Sequence, residues 1–276
     1  MRMKRMHRRA ALSVSAILIA AALILIYVPG LLIPETAVAG SFQNAGLPPS
    51  FAHPFGTDAL GRDLLMRTLK GLSVSLTIGF LASAVSAVIA VCAGIAAASG
   101  SSLADALVGW LTDLVMGIPH TILVILISFA LGRGLPGLFA GIAATHWCSL
   151  ARLIRAEVLQ LRSQPYIMVS RRLGRSGAWI LSRHMLPHLL PQFFVGLVLM
   201  LPHAILHEAS VSFLGFGLAP EQPSIGIILS ESMRYLSAGM WWPAVLPGLT
   251  LVAIVLFIDR TGDCLQRILD PVHAQE

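Results

Sequence analysis

The chain has 276 residues, of which 56% are hydrophobic and 12% are charged, and its mean hydropathy is +0.81. Charged residues make up about 25% of a soluble domain, so this composition, with its long uncharged runs, indicates an integral membrane protein. The net charge of +6 does not indicate nucleic-acid binding, because most basic residues flank apolar runs. The three cysteines form no C-x-x-C pair, which argues against a disulfide framework or a zinc site.

The chain begins with a basic stretch, residues 1–9, which is followed by an uncharged apolar run over residues 10–34. A signal peptide has an apolar core of only about 7–15 residues. We therefore predict a cytoplasmic N-terminus and a first membrane-spanning helix rather than a cleaved signal. Residues 35–70 are predicted to form a periplasmic connection that contains a helix over residues 59–69, capped by Thr57 or Asp58.

Five further apolar runs indicate five further spans within a membrane domain over residues 71–265. They cover residues 71–104, 111–131, 138–151, 189–208 and 241–258. The run over 138–151 is short if it ends at Arg152, although an arginine can extend its side chain to the membrane surface. Residues 209–239 are rich in glycine and proline, and residues 266–276 are predicted to be a cytoplasmic tail.

A basic loop over residues 156–188 separates the fourth and fifth spans, and its central part is residues 164–188. Seven arginines lie between Arg152 and Arg183, and such basic loops remain cytoplasmic. The sequence predicts a helix before Gly174, a break at Gly174 and Gly177, and a second short helix. We therefore predict an all-α protein with six transmembrane helices, both termini in the cytoplasm and a docking loop on the same side.

This loop resembles the cytoplasmic coupling loop of permease subunits of ATP-binding-cassette (ABC) importers. That family has a Glu-Ala-Ala sequence, a glycine four residues later and a Leu-Pro pair. Gly174 and the pair Leu186-Pro187 match this pattern, whereas the Glu-Ala-Ala positions carry Met168, Val169 and Ser170.

A second segment narrows the resemblance. The sequence HPFGTDALGRD, residues 53–63, is similar to the HxxGTDxxGRD segment of dipeptide, oligopeptide and nickel permeases. Together with Ser212-Phe213-Leu214-Gly215, it indicates the C-type subunit of that family, over residues 53–271. Within that family, the chain resembles the nickel permeases at three further places: His146-Trp147, the histidines His203 and His207, and Ser170-Arg171.

The resemblance implies a type I ABC importer permease fold in the bacterial inner membrane. It implies four kinds of partner: a second homologous permease, two ATP-binding subunits, a periplasmic substrate-binding protein and membrane lipid, with no nucleic acid. ATP and Mg²⁺ would be bound by the ATPase subunits, and this chain would hold no cofactor. The residues expected to couple to the ATPases are Ser170, Arg171, Gly174, Gly177, Leu186 and Pro187.

Four histidines within predicted spans are candidates for the translocation pathway or for transient metal contact: His120, His146, His203 and His207. Polar residues inside a membrane are often functional, and imidazole is a common ligand of nickel, zinc and copper. His203 and His207 are four residues apart and share one helix face. Each histidine could equally form a hydrogen bond between helices and do nothing else, and no metal site is firmly assigned.

The main functional prediction is a permease subunit for nickel or a metal–metallophore complex, with dipeptide or oligopeptide uptake as the alternative. Neither Lys4 nor Lys70 lies in a phosphate-binding G-x-x-x-x-G-K-[ST] loop. We therefore predict that the chain is a transport subunit without its own ATPase site and is not an enzyme. A secondary transporter is a further alternative. It usually has an intramembrane carboxylate for ion coupling, and no acidic residue lies in the middle of a predicted span.

Overall fold

The computed structural model describes residue 21 and residues 23–99 and 101–269 of the chain. Within them the protein is helical and has no strand, apart from one isolated bridge between Thr57 and Asp63. The helices are α1 (Leu23–Leu32), α2 (Leu64–Ser99), α3 (Ser102–Gly117), α4 (His120–Ala130), α5 (Leu135–Thr145), α6 (Trp147–Arg162), α7 (Pro165–Arg172), α8 (Gly177–Ile180), α9 (Leu186–Phe213), α10 (Ile225–Leu236) and α11 (Trp242–Leu269). The all-α prediction is confirmed.

Four helical segments of the described chain are long and apolar enough to cross a membrane: Leu64–Ala98, Leu135–Arg162, Gly177–Phe213 and Trp242–Ile268. The pair α3 and α4 passes the same test as one broken span, which raises the number to five. Residues 10–20 and 22 of the predicted first span, residues 10–34, lie outside the described residues, as does the whole stretch 1–9, whereas the remainder of that span contains α1. Of the predicted tail, residues 270–276 lie outside them, whereas α11 continues as a helix to Leu269.

Helix α2 is the central element, because buried side chains from it contribute to all three hydrophobic clusters of the core. Small residues on α2 allow neighbouring helices to pack closely. A Cβ on Gly94 would lie 2.8 Å from the carbonyl oxygen of Ala151, and one on Gly79 would lie 2.6 Å from Ile205 Cγ1. Helix α2 has 36 residues and is therefore about 54 Å long, at a rise of about 1.5 Å per residue.

The third predicted span, residues 111–131, is wrong as a single helix. Helix α3 begins earlier, at Ser102, where Ser101 Oγ accepts a hydrogen bond from the N–H of Ala104. Pro119 separates α3 from α4, and the two helices are bent by 99°. Proline disfavours a helical conformation at the residue before it, and Ile118 is extended.

The fourth predicted span, residues 138–151, is too short. Helices α5 and α6 form one candidate span over Leu135–Arg162. Arg155 makes two hydrogen bonds of 2.6 Å to the carboxylate of Asp105, and Arg152 Nη2 lies 2.5 Å from Asp113 Oδ1. These exposed ion pairs connect α6 to α3. Helix α6 continues to Arg162, so the predicted loop 156–188 starts later, after Arg162.

Three further boundaries differ from the prediction. Helix α2 begins at Leu64, inside the predicted connection 35–70, and Asp63 Oδ1 caps it by accepting from the N–H of Met66 at 3.0 Å. The helix predicted over residues 59–69 therefore begins at Leu64 rather than at Ala59, and its predicted cap, Thr57 or Asp58, is wrong. The Gly- and Pro-rich region 209–239 contains an unpredicted helix, α10, which Ser224 caps.

The two ends of α2 define two ends of the molecule. The first end carries the HPFGTDALGRD segment and is called the motif end. At the other end, Arg162 Nη1 donates a hydrogen bond to the carbonyl oxygen of Ala98, which places the basic loop there. We call this the loop end.

Candidate functional site

The loop end is built from short helices with defined stops. Pro165 occupies the first turn of α7, where its missing N–H is tolerated. Gly174 follows α7 with φ of 78°, a left-handed conformation that glycine adopts without a steric penalty. Ser176 then caps α8 by accepting from the N–H of Trp179 at 3.3 Å. A π-helical turn, Leu181–Met185, leads into α9, whose second residue is Pro187.

Helix α7 presents an apolar face to the surroundings. The side chains of Met168, Val169 and Leu173 are 49%, 54% and 76% exposed, and Tyr166 is 40% exposed. Arg171 and Arg172 are exposed beside them, whereas Ile167 is fully buried in the core. We call the side chains of 166, 168, 169 and 171–173 the coupling surface.

All six predicted coupling residues lie at the loop end, and none is deeply buried. Ser170 Oγ donates to the carbonyl oxygen of Tyr166 at 2.9 Å and lies 3.3 Å from His184 Nε2. The other five, Arg171, Gly174, Gly177, Leu186 and Pro187, are exposed.

Three of the four predicted histidines meet between helices. The ring centroids of His120 and His146 are 4.4 Å apart, those of His120 and His207 are 4.4 Å apart, and those of His146 and His207 are 5.2 Å apart. One ligand nitrogen from each residue can be chosen so that all lie within 4.8 Å of one another. We call His120, His146 and His207 the histidine cluster.

Two helix breaks position this cluster. His120 is the first residue of α4, directly after the bend at Pro119, and His146 lies at the junction of α5 and α6. Ser86 Oγ of α2 donates to the carbonyl oxygen of Ala143 at 2.8 Å, so this junction lies beside the interior part of α2 rather than at either end. The cluster is therefore within the membrane-spanning part of the bundle.

The fourth histidine, His203, is not in the cluster. It lies one turn before His207 on the same face of α9 and is exposed, whereas the three cluster residues are half-buried. Sequence analysis missed two neighbours of the cluster: Thr145 Oγ1 lies 3.1 Å from His120 Nε2, and Thr121 Oγ1 lies 3.4 Å from His207 Nδ1. Thr145 precedes His146 and Thr121 follows His120 in the sequence, and this adjacency could have indicated that both threonines lie near the cluster.

At the motif end, the charged residues of HPFGTDALGRD bind one another. Asp58 Oδ2 accepts from Arg62 Nε at 2.5 Å and from Arg67 Nη1 at 2.7 Å, and His53 Nδ1 lies 2.7 Å from Asp63 Oδ2. Asp58 Oδ1 also accepts from the N–H groups of Leu60 and Arg62, which explains why it closes a turn instead of capping a helix.

This network reaches two distant helices. Glu231 of α10 lies 2.7 Å from Arg62 Nη2 and 2.9 Å from Arg67 Nη2, and the indole N–H of Trp242 donates to the carbonyl oxygen of Thr57 at 3.1 Å. Sequence analysis missed Glu231, because its helix was not predicted. The motif is thus a clamp that connects the segment before α2 to the middle of α10 and to the first residue of α11.

A buried carboxyl group was also missed. Helix α9 continues to Phe213, so Glu208 lies inside the span near its end, rather than at its last residue as predicted. Glu208 is fully buried and its Oε1 accepts from Ser212 Oγ at 3.0 Å.

Residues 89–272 match the family model described as "Binding-protein-dependent transport system inner membrane component". The chain is 31% identical over 238 residues to the dipeptide transport system permease protein DppC of Bacillus subtilis, covering 86% of this chain and 74% of that protein. It is 33% identical over 232 residues to the oligopeptide transport system permease protein OppC of the same organism, covering 83% and 74% of the two proteins.

A solved structure has a similar fold. A chain of the MetNI methionine ABC transporter in an inward-facing conformation aligns with a TM-score of 0.61 and 19% identity, covering 75% of this chain and 98% of that one. At this identity the likeness concerns the fold. The protein therefore belongs to the family of binding-protein-dependent transport system inner membrane components, the multi-pass permease subunits of ABC importers in the bacterial inner membrane.

Proposed function

We propose that the chain forms half of the pathway through which an ABC importer moves short peptides, together with a second, homologous permease subunit. The cargo assignment is supported by the relatives, which are named as dipeptide and oligopeptide permeases. It replaces nickel or a metallophore complex, the main prediction from sequence, as the favoured cargo.

A cavity at the motif end is compatible with this cargo. It has a volume of about 530 Å³, and its lining includes Arg133, Arg234 and Glu231. A short peptide carries a positive amino group and a negative carboxylate, and an entrance with side chains of both signs complements both ends. We propose that a periplasmic binding protein delivers the peptide at this end.

Two separate ATPase subunits are proposed to act at the loop end, which the positive-inside tendency places in the cytoplasm. The observation that carries this step is the coupling surface, since exposed apolar residues on a rigid helix are typical of a protein contact. Closure of the ATPases would push on α7 and, through α8 and the π-helical turn, on α9. The result is alternating access, in which two conformations expose the pathway to opposite sides.

The nickel or metallophore alternative is retained because of one observation, the histidine cluster within the membrane domain. The two cargoes are separated by an uptake assay in cells that lack the chain and in the same cells complemented with it. We expect complementation to restore uptake of a labelled dipeptide and to leave uptake of labelled nickel unchanged. Restored nickel uptake with no change in dipeptide uptake would overturn the peptide assignment.

A further inference from the structure

We propose that His120, His146 and His207 form a binding site for a divalent transition-metal ion of the nickel, copper and zinc class. The proposal goes beyond the cargo proposed above and does not depend on it, because it concerns binding to this chain.

His146 is oriented as metal-binding histidines are. Its Nδ1 lies 3.0 Å from the carbonyl oxygen of Ile142, and a carbonyl oxygen can only accept, so Nδ1–H is the donor. In the neutral ring, Nε2 therefore keeps a free lone pair. Metal-binding histidines typically donate their other ring N–H to a carbonyl or carboxylate in this way.

His146 Nε2 is buried and has no hydrogen-bond partner among the described residues. A buried polar atom without a partner costs about 1–3 kcal/mol, so in the great majority of cases such an atom is satisfied by protein, water or an ion. An ion bound between the three rings would satisfy it.

The spacing of the three histidines is close to that of a metal site. Nitrogen ligands about 2.0–2.1 Å from a tetrahedral ion lie about 3.3 Å from one another. One ring nitrogen from each of the three residues can be chosen so that all lie within 4.8 Å of one another. The rings must therefore move closer together to hold an ion.

The ligand set indicates which ions fit. Three imidazoles without a carboxylate suit nickel, copper and zinc, whereas magnesium and calcium require oxygen ligands. Glu208, the neighbour of His207, does not join the set, since it binds Ser212 on the other side of α9. Three protein ligands leave at least one position for water or for a chelating ligand, as in sites where ligands exchange.

The location makes the site sensitive to conformation. The ligands come from α4, from the junction of α5 and α6, and from α9, and two of them lie at helix breaks. An ion held by all three would tie these elements together. Binding should therefore raise the melting temperature of the protein, and the rise should grow with the logarithm of the free ion concentration once this exceeds Kd.

The test is equilibrium binding of Co²⁺ or Ni²⁺ to the full chain, purified in detergent without a polyhistidine tag. We expect one saturable ion per chain. His146→Ala and His207→Ala should each weaken binding at least about 100-fold, because the loss of a supporting partner alone costs about 10–100-fold. The matched control is His188→Ala, which removes an exposed histidine from the same helix and should leave binding unchanged.

A second variant separates ligation from packing. His207→Cys offers a thiolate in place of the imidazole, so it should retain Co²⁺ binding and add a sulfur-to-cobalt charge-transfer band that the unmodified protein lacks. His207→Gln, of similar size, should lose binding. Absence of saturable binding in the unmodified chain, equal binding by His146→Ala, or no new band in His207→Cys would overturn the proposal, and none of these results bears on peptide uptake.

Discussion

The two ends of the bundle use their polar residues in opposite ways. At the motif end, Asp58 and Arg67 are almost completely buried and bind each other, and Arg67 also binds Glu231. At the loop end, Arg171, Arg172 and Leu173 face outward. The HPFGTDALGRD motif is thus an internal clamp at one end of the bundle, whereas the basic loop is an external surface at the other end.

This comparison predicts that damage at the motif end lowers stability and that damage at the loop end lowers coupling. The largest effect is expected from Arg67→Met. Removing one partner of a buried ion pair leaves the other charge uncompensated, at a cost of about 3–5 kcal/mol. The measurement is the unfolding free energy and melting temperature of the purified chain in detergent.

Lys70→Ala is the matched control for Arg67→Met, three residues along α2. Lys70 Nζ lies 2.5 Å from Glu35 Oε1, but Glu35 is 80% exposed. Exposed pairs contribute about 0.2–1 kcal/mol, so the control should be nearly as stable as the unmodified protein. Equal losses in the two variants would contradict the clamp.

The second prediction concerns Leu173→Ser on the coupling surface. The side chain is 76% exposed, so the substitution should leave unfolding unchanged within about 0.5 kcal/mol. Burying a leucine in a contact contributes about 1.5–3 kcal/mol, so co-purification of ATPase subunits should fall by about tenfold or more. Leu60→Ser, which replaces an exposed leucine at the motif end, serves as the control. Unchanged co-purification of Leu173→Ser would remove Leu173 from the contact.

The third and smallest effect is expected from Gly174→Val. No atom lies within 4 Å of a Cβ at this position, so the cost comes from φ of 78° alone. A left-handed conformation costs other residues about 1–2 kcal/mol, which corresponds to a factor of about 5–30 in the population of this turn. Uptake should fall by a similar factor.

Gly109→Ala is the comparison for Gly174→Val, because its Cβ would also meet open space and its backbone is an ordinary helix. It should retain full uptake and stability. Full uptake by Gly174→Val would show that the geometry of the turn does not matter for coupling.

The sequence predicts those features that depend on composition and on single residues. Uncharged runs indicated the membrane class, and Gly174 indicated the break between two loop helices. The continuation of α6 past Arg152 and Arg155 was not predicted, because a single sequence does not show that Asp113 and Asp105 of another helix lie beside these arginines. The helix α10 was concealed by flanking glycines and prolines.

The candidate site was predictable only in part. All four histidines were selected from the sequence, but their spacing suggested His203 and His207 as the pair. The bend of 99° after α3 brings His120 to His146 and His207 instead, and a bend angle is set by packing that a single sequence does not display.

The central claim, that the loop end is a cytoplasmic surface covered by separate ATPase subunits, is tested most directly by chemical labelling. Leu173→Cys would be introduced after Cys92, Cys148 and Cys264 are replaced by serine or alanine, and a membrane-impermeant maleimide would be applied. We predict no labelling in intact cells, labelling in inside-out vesicles stripped of ATPase subunits, and protection when those subunits are bound. Labelling in intact cells, or equal labelling of vesicles with and without bound ATPases, would contradict the account.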